Sequence, residues 1–144
     1  MSFTATGMEA QEIMQRDVAV LEPGASLREA SELMHDYDVR HIPIVERGQV
    51  VGIVSDRDLR CYLSELFLSE PESTPATARK TLTVRQVMQA KPVAVDPASD
   101  IQEVIECILD FKIGAVVVAD TEGRLCGIIS YEDVLRAARD LLPT

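Results

Sequence analysis

The sequence predicts an α/β (α+β) fold made of two pseudo-symmetric halves. Three observations carry this: an internal repeat, the order of strand and helix signals within it, and a chain length suited to one core. Met14-Gln15 through Asp58 recurs as Met88-Gln89 through Asp133. Met14, Pro23, Glu29 and Asp36 return as Met88, Pro97, Glu103 and Asp110, an offset of 74 (88 − 14). After one extra residue near Glu122 the offset becomes 75 (127 − 52), and Gly52, Ser55 and Asp58 return as Gly127, Ser130 and Asp133. Solenoid repeats recur every 20 to 50 residues or so, whereas this longer unit occurs only twice, which points to one pseudo-symmetric domain. At 144 residues and 47% hydrophobic content, the chain can bury one good core but is short for two independent domains. The halves are therefore expected to share a core.

Each half reads as strand, helix, strand, strand, helix. Ser2 to Met14 is polar and then weakly helical, with Met8, Ile13 and Met14 as packing residues of a short leading helix. Val18 to Leu21 is an apolar strand candidate, closed by the turn signal Pro23-Gly24. Ser26 and Glu29 have capping-box spacing, and Leu27, Ala30, Leu33, Met34 and Tyr37 follow the i, i+3, i+4 stripe of an amphipathic helix. Ile42 to Val45 and Val50 to Val54 flank Glu46-Arg47-Gly48-Gln49 as a hairpin, and Pro43 predicts a first strand that is short or irregular on its amide side. Ser55 opens the next helix, with Leu59, Tyr62, Leu63, Leu66 and Phe67 on its apolar face.

The second half repeats the order with different side chains. Val93 to Val95 precedes the Asp96-Pro97 turn, and the next helix carries Ile101, Val104, Ile105, Ile108 and Phe111. Strands at Ala115 to Ala119 and Leu125 to Ile129 follow, and a last helix runs from about Ser130 toward Leu142. Between the halves, Pro71, Ser73, Thr74, Pro75 and Thr77 read as an exposed linker. The expected organisation is residues 1–68, a linker at 69–82, and residues 83–144.

Composition excludes several classes. With 24 acidic against 14 basic residues, a net charge of -10 opposes nucleic-acid phosphates and anionic membrane surfaces. Aromatic content of 4% without tryptophan offers no base-stacking platform. No secretory signal or membrane-spanning run is read, so the expected location is cytoplasmic. Cys61, Cys107 and Cys126 are widely spaced in apolar patterns and read as structural thiols. His35 and His41 lack the clustered partners of a zinc site, so no metal is expected.

The segments IMQRDVAVLEPGASLREASELM…VRHIPIVERGQVVGIVSDRDL and VMQAKPVAVDPASDIQEVIECI…IGAVVVADTEGRLCGIISYEDV resemble tandem cystathionine-beta-synthase (CBS) domains over about residues 10–140. In each copy the helix, turn, hairpin and closing G-h-h-S-x-x-D segment occur in the same order, h being hydrophobic. The resemblance implies two β-α-β-β-α motifs paired into one Bateman module, which binds adenosine-containing ligands in the clefts between motifs and often dimerises. Such modules are usually regulatory appendages, and a chain of this length is expected to hold the module without an attached effector domain.

Ser55-Asp56-Arg57-Asp58 and Ser130-Tyr131-Glu132-Asp133 each follow an apolar strand. An ionised Asp beside a hydroxyl can accept both hydroxyl hydrogens of a ribose. Ser-x-x-Asp is also what a helix N-terminus favours, with Ser as cap and Asp against the positive end of the dipole. On the residues alone capping is the heavier reading; the resemblance adds ribose binding, and the two roles are compatible.

The resemblance also sets Arg40 and His41 against ligand phosphates, Arg with a planar charged fork and His with a ring donor. The open alternative is a solvent-facing Arg beside a structurally bonded His. The first pocket it implies uses Ser55 and Asp58 for ribose, Arg40 and His41 for phosphate, and Ile53, Val93, Ile113 and Gly114 around the adenine. Arg57, with Arg60, Arg79, Lys80 and Arg85, forms a candidate phosphate rim. A second, weaker pocket uses Val18, Val39, Ile128, Ser130 and Asp133, since Gly114-Ala115 replaces Arg40-His41.

The expected function is a non-enzymatic sensor of an adenosyl ligand of the AMP, ADP or ATP class, with S-adenosylmethionine and NAD as further candidates. No cofactor is expected. Partners are a second copy, as a homodimer, and an unidentified regulated protein. The alternative is a structural dimerisation or docking module without a small ligand, supported by the amphipathic last helix with Val134, Leu135, Ala138, Leu141 and Leu142. No G-x-S-x-G, P-loop, dinucleotide fingerprint or Cys-His nucleophile supports an enzyme.

Overall fold

The helices begin where a side chain can satisfy the free amides of their first turn. The structure, a computed structural model, describes residues 6–69 and 82–143, without the side chains of 63–69. In chain order the elements are α1 (Ala10–Ile13), α2 (Leu27–Tyr37), β1 (His41–Glu46), β2 (Gln49–Ser55), α3 (Asp56–Ser69), α4 (Val84–Val87), β3 (Gln89–Ala90), β4 (Ala94–Val95), α5 (Ile101–Phe111), β5 (Ala115–Ala119), β6 (Leu125–Ser130) and α6 (Tyr131–Leu141). The predicted capping box of α2 is present: Ser26 Oγ accepts the Glu29 amide at 3.0 Å, and Glu29 accepts the Ser26 amide at 3.2 Å. Asp100 caps α5 by accepting the Gln102 amide. The expected linker, with Arg79 and Lys80, lies almost wholly outside the described residues, as do the side chains of Leu63, Leu66 and Phe67.

The chain divides into two compact units that do not follow the repeat boundaries. One, here the Ser55 unit, comprises Ala19–Glu46 and Val51–Lys91; the Ser130 unit comprises Met1–Val18, Arg47–Val50 and Pro92–Thr144. Each is completed by the lead-in segment of the other repeat. In the Ser130 unit the Ala10 and Gln11 amides donate to the Ser99 and Pro97 carbonyls at 2.7 and 3.0 Å. Their counterparts in the Ser55 unit, Val84 and Arg85, donate to the Ala25 and Pro23 carbonyls at 2.8 and 3.1 Å. Ala10 and Val84 are both fully buried, so the short leading helices are core elements.

The Ser55 unit holds β1, β3 and Val51–Ser55 of β2 from the sheet β1-β2-β3, in which β2 and β3 run antiparallel with Ile53 opposite Gln89. Its core is Leu27, Ala30, Met34, Ile42, Ile44, Val54, Leu59, Leu82 and Val84. Arg47 and Gly48 turn the hairpin with φ of 53° and 79°, the paired positive values whose twist suits a two-residue turn. In the Ser130 unit the order is β4-β5-β6, β4 parallel and β6 antiparallel to β5. Its core is Ala10, Met14, Val95, Val104, Val116, Val118 and Ile129. The extra residue near Glu122 belongs to a longer turn, and the ladder slips between Val118 and Ala119.

The repeated methionine and glycine explain each other. Met14 and the Gln15 backbone lie so close over Gly127 that a Cβ there would meet Met14 Sδ and Gln15 O at 2.7 Å. At Gly52 it would meet Met88 Cγ at 3.0 Å and Gln89 O at 3.1 Å. Only a residue without a side chain admits the lead-in strand here.

Three sequence expectations need correction. Val18 to Leu21 is no strand; it makes one parallel bridge, Leu21 to Ile44. Pro43 does not shorten its own strand, since β1 runs six residues through it; the expected irregularity on its amide side falls on the neighbouring segment. In the other repeat the Val117 amide donates to Val93 O at 3.1 Å and β4 forms. Proline at the matching position has no amide to offer Ala19. Tyr37 and Phe111, expected on buried stripes, are 61% and 62% exposed, because each is the last residue before a left-handed cap, Asp38 or Lys112.

Candidate functional site

In the Ser55 unit β2 runs directly into α3, which puts Ser55 and Asp58 at a strand-to-helix junction. The Ser55 amide donates to Asp58 Oδ2 at 3.0 Å, and the Asp58 amide donates to Ser55 Oγ at 3.1 Å. The pair thus caps α3, the structural half of the sequence reading. Asp58 stays half-buried, with a second carboxylate oxygen outside the capping bonds. The Arg40 carbonyl accepts the Asp56 amide at 2.8 Å, tying the residue before β1 to the first turn of α3.

That tie brings His41 into the field of the same turn. Burial lowers the imidazole pKa from its ordinary 6.5; the Asp58 carboxylate raises it in part, Arg40 lowers it, and Asp56 raises it. Since burial dominates, His41 is neutral at pH 7, one ring nitrogen donating and the other accepting. The Arg40 side chain is exposed. One unit therefore assembles a carboxylate acceptor, a hydroxyl, a neutral imidazole and a guanidinium. Acceptors for a diol and donors for an anion stand together.

Ile53 is half-buried on β2, and Arg57 is exposed on α3. Two members of the expected basic rim are engaged by carboxylates: Arg60 Nε lies 3.2 Å from Asp56, and Arg85 pairs with Glu46. Val39 is exposed just before Arg40. Val93, Ile113 and Gly114 of the first predicted set are half-buried and fall in the Ser130 unit. In that unit the Gly114 carbonyl accepts the Tyr131 amide at 3.0 Å, the same joint that Arg40 makes with Asp56. Gly114 and Ala115 thus stand structurally where Arg40 and His41 stand, and Ala115 is buried.

The Ser130 and Asp133 pair is held differently. Ser130 N and Oγ both donate to Asp133 Oδ2, at 2.9 and 3.1 Å. Oδ1 receives Gln15 Nε2 and Arg136 Nη1, each at 3.0 Å. Asp133 is 7% exposed. Val18 and Ile128 of the weaker set lie in the same unit, half-buried, and Ile128 exchanges backbone hydrogen bonds with Gln15 at 2.9 and 3.1 Å. Sequence reasoning missed Gln15 and Arg136. Gln15 is 118 residues from its partner, but the i, i+3 spacing of Asp133 and Arg136 was visible.

Among the described residues no three His, Cys, Asp or Glu side chains are placed to hold a metal ion, and no helix is long and apolar enough to cross a membrane. Cys61 is exposed, and burial with the Glu103, Asp110 and Glu106 carboxylates nearby pushes the Cys107 thiol up, which holds it protonated.

The family model of the CBS domain matches twice, at residues 10–65 and 84–140. A CBS domain-containing protein of Dictyostelium discoideum is 25% identical over 126 residues, 87% of each chain. The inosine-5'-monophosphate dehydrogenase of Korarchaeum cryptofilum is 28% identical over 125 residues, 87% of this chain but 23% of the dehydrogenase. The chain thus spans most of one relative and about a quarter of the other. Among solved structures, CBSX2 in complex with AMP has a TM-score of 0.76 at 25% identity, covering 94% of this chain and 98% of that one. With both repeats matched and the paired architecture shared, the chain belongs to the CBS domain family.

Proposed function

We propose that this CBS pair is a non-enzymatic regulatory module that binds an adenosine-containing ligand of the AMP, ADP or ATP class. The observation that carries the reading is the Ser55 unit's grouping of Asp58, Ser55, His41 and Arg40 at one strand-to-helix junction. Asp58 accepts the ribose hydroxyls, Arg40 and His41 receive phosphate, Ile53 is the proposed base contact within the same unit, and Arg57 adds a charge. The likeness to CBSX2 in complex with AMP supports the ligand class. A ligand regulates only through unequal affinity for two states, so a further protein is the proposed target. Calorimetry of ligand-stripped protein with AMP, ADP, ATP, NAD and S-adenosylmethionine tests this. Binding of at least one, weakened by Asp58→Ala, is expected; no heat with all five overturns it.

A second reading, self-association or docking, is favoured by the exposed apolar side chains Tyr37, Leu109, Phe111, Leu135, Leu141 and Leu142, each more than 60% exposed. We propose a homodimer. Light scattering with and without nucleotide separates the two readings: a dimer indifferent to ligand, with no nucleotide bound, favours pure scaffolding.

A further inference from the structure

The two Ser-x-x-Asp junctions share a sequence pattern but not a hydrogen-bond count. Among the described residues Asp133 accepts four hydrogen bonds, all from the chain itself: two from Ser130, one from Gln15, one from Arg136. An ionised carboxylate has about four lone-pair sites, so this one is saturated. Beside it lies a cleft of about 400 Å3 lined by Met8, Ile13, Gln15, Arg136 and Leu141 among others, so a small molecule could approach. A ribose there would have to displace a guanidinium. The guanidinium brings a full positive charge to the carboxylate, whereas a ribose hydroxyl is a neutral donor, so the exchange disfavours the diol. The position matching Arg136 in the Ser55 unit (136 − 75) is Cys61, exposed and without a charge.

We propose that Arg136 is a positioning residue that, with Gln15, closes Asp133 to nucleosides, so that the chain takes one nucleotide through Asp58 and none through Asp133. The proposal rests on the adenosine-ligand reading above and narrows it: specificity between the repeats lies three residues after each aspartate as well as at Arg40-His41. It also assigns the Ser130-Asp133 pair a structural task, capping α6 and anchoring the lead-in segment through Gln15.

The test moves the clamp to the other repeat. Full-length wild type, Cys61→Arg and Cys61→Leu are titrated with AMP, ATP and S-adenosylmethionine in turn. Wild type should bind one ligand per chain; Cys61→Arg should weaken it by about tenfold or more, and Cys61→Leu by less than about twofold. Two ligands per wild-type chain, full binding by Cys61→Arg, or equal loss in Cys61→Leu would each overturn the proposal. If wild type binds none of the three, the adenosine reading is what fails, and melting then decides the clamp without ligand. Arg136→Ala should lower Tm by about 2 °C in wild type and leave an Asp133→Asn background unchanged. An equal drop in both backgrounds would show that Arg136 does not act through Asp133.

Discussion

The Asp58 carboxylate acts on His41 against the burial that lowers its pKa, so the charge of this imidazole depends on a residue 17 positions away (58 − 41). The folded pKa lies below the ordinary 6.5, so below that pH the unfolded chain binds more protons than the folded one. Stability is therefore full above pH 6.5 and falls as pH drops toward the folded value. Melting from pH 8 to pH 5 should fall less steeply below pH 6.5 in His41→Asn than in wild type. In Asp58→Asn, where the raising charge is gone, the His41 midpoint read by NMR should move further down. An unchanged midpoint would mean the two side chains do not interact.

The same titration bears on ligand binding. A phosphate beside His41 stabilises the protonated ring, so binding of an anionic ligand is accompanied by proton uptake at His41. Affinity for AMP should rise as pH falls from 7.5 to 6, by at most about tenfold per pH unit, the limit for one proton. Affinity for adenosine should stay level. Parallel slopes for the two would remove His41 from the phosphate contact.

Gly127 and Gly52 test the exchange of lead-in segments. Adding a methyl group at Gly127 places it 2.7 Å from the Gln15 carbonyl oxygen, which belongs to backbone and cannot swing away. Gly127→Ala should lose about 1 to 3 kcal/mol in urea unfolding, the range for overpacking. At Gly52 the nearest atoms belong to the flexible Met88 side chain, so Gly52→Ala combined with Met88→Ala should recover part of its loss. Gly127→Ala with Met14→Ala should recover less, because the Gln15 carbonyl remains.

The repeat, the capped helices and the hairpins were legible because their signals are local. Ser26 and Glu29 stand three residues apart, and Arg47-Gly48 is a two-residue turn between apolar runs. Which body each lead-in joins was not legible. Ala10 and Val84 follow the same pattern, and nothing near them tells Ser99 from Ala25 as a partner. The candidate site was legible as a set of residue types, Asp58, Ser55, Arg40 and His41, because the repeat isolates where its copies differ. Whether each aspartate is engaged was not, since the Asp133 bond to Gln15 joins residues 118 apart. Tyr37 and Phe111 kept helical spacing yet lie exposed, because periodicity assigns a face but not where the core ends.

Pro43 supplies the remaining prediction, since it accounts for the main failure of pattern reading in the first repeat. The Leu21 amide donates to the Pro43 carbonyl at 3.2 Å, and Val45 donates to Leu21 O at 2.9 Å, so the segment already lies along β1. What is missing is the bond that Val117 makes to Val93. Pro43→Val would restore an amide at a fully buried site with a side chain of similar bulk. The new hydrogen bond contributes about 1 kcal/mol, and losing the proline's restriction of the unfolded chain costs about 0.4 to 1 kcal/mol, so net stability should change by less than about 1 kcal/mol. The informative readout is hydrogen exchange. The amide that Pro43→Val introduces should be protected to the same degree as that of Val117. If it exchanges as fast as exposed turn amides while the protein remains folded, the missing donor is not what keeps residues 18–21 from forming a strand, and their own sequence must be the cause.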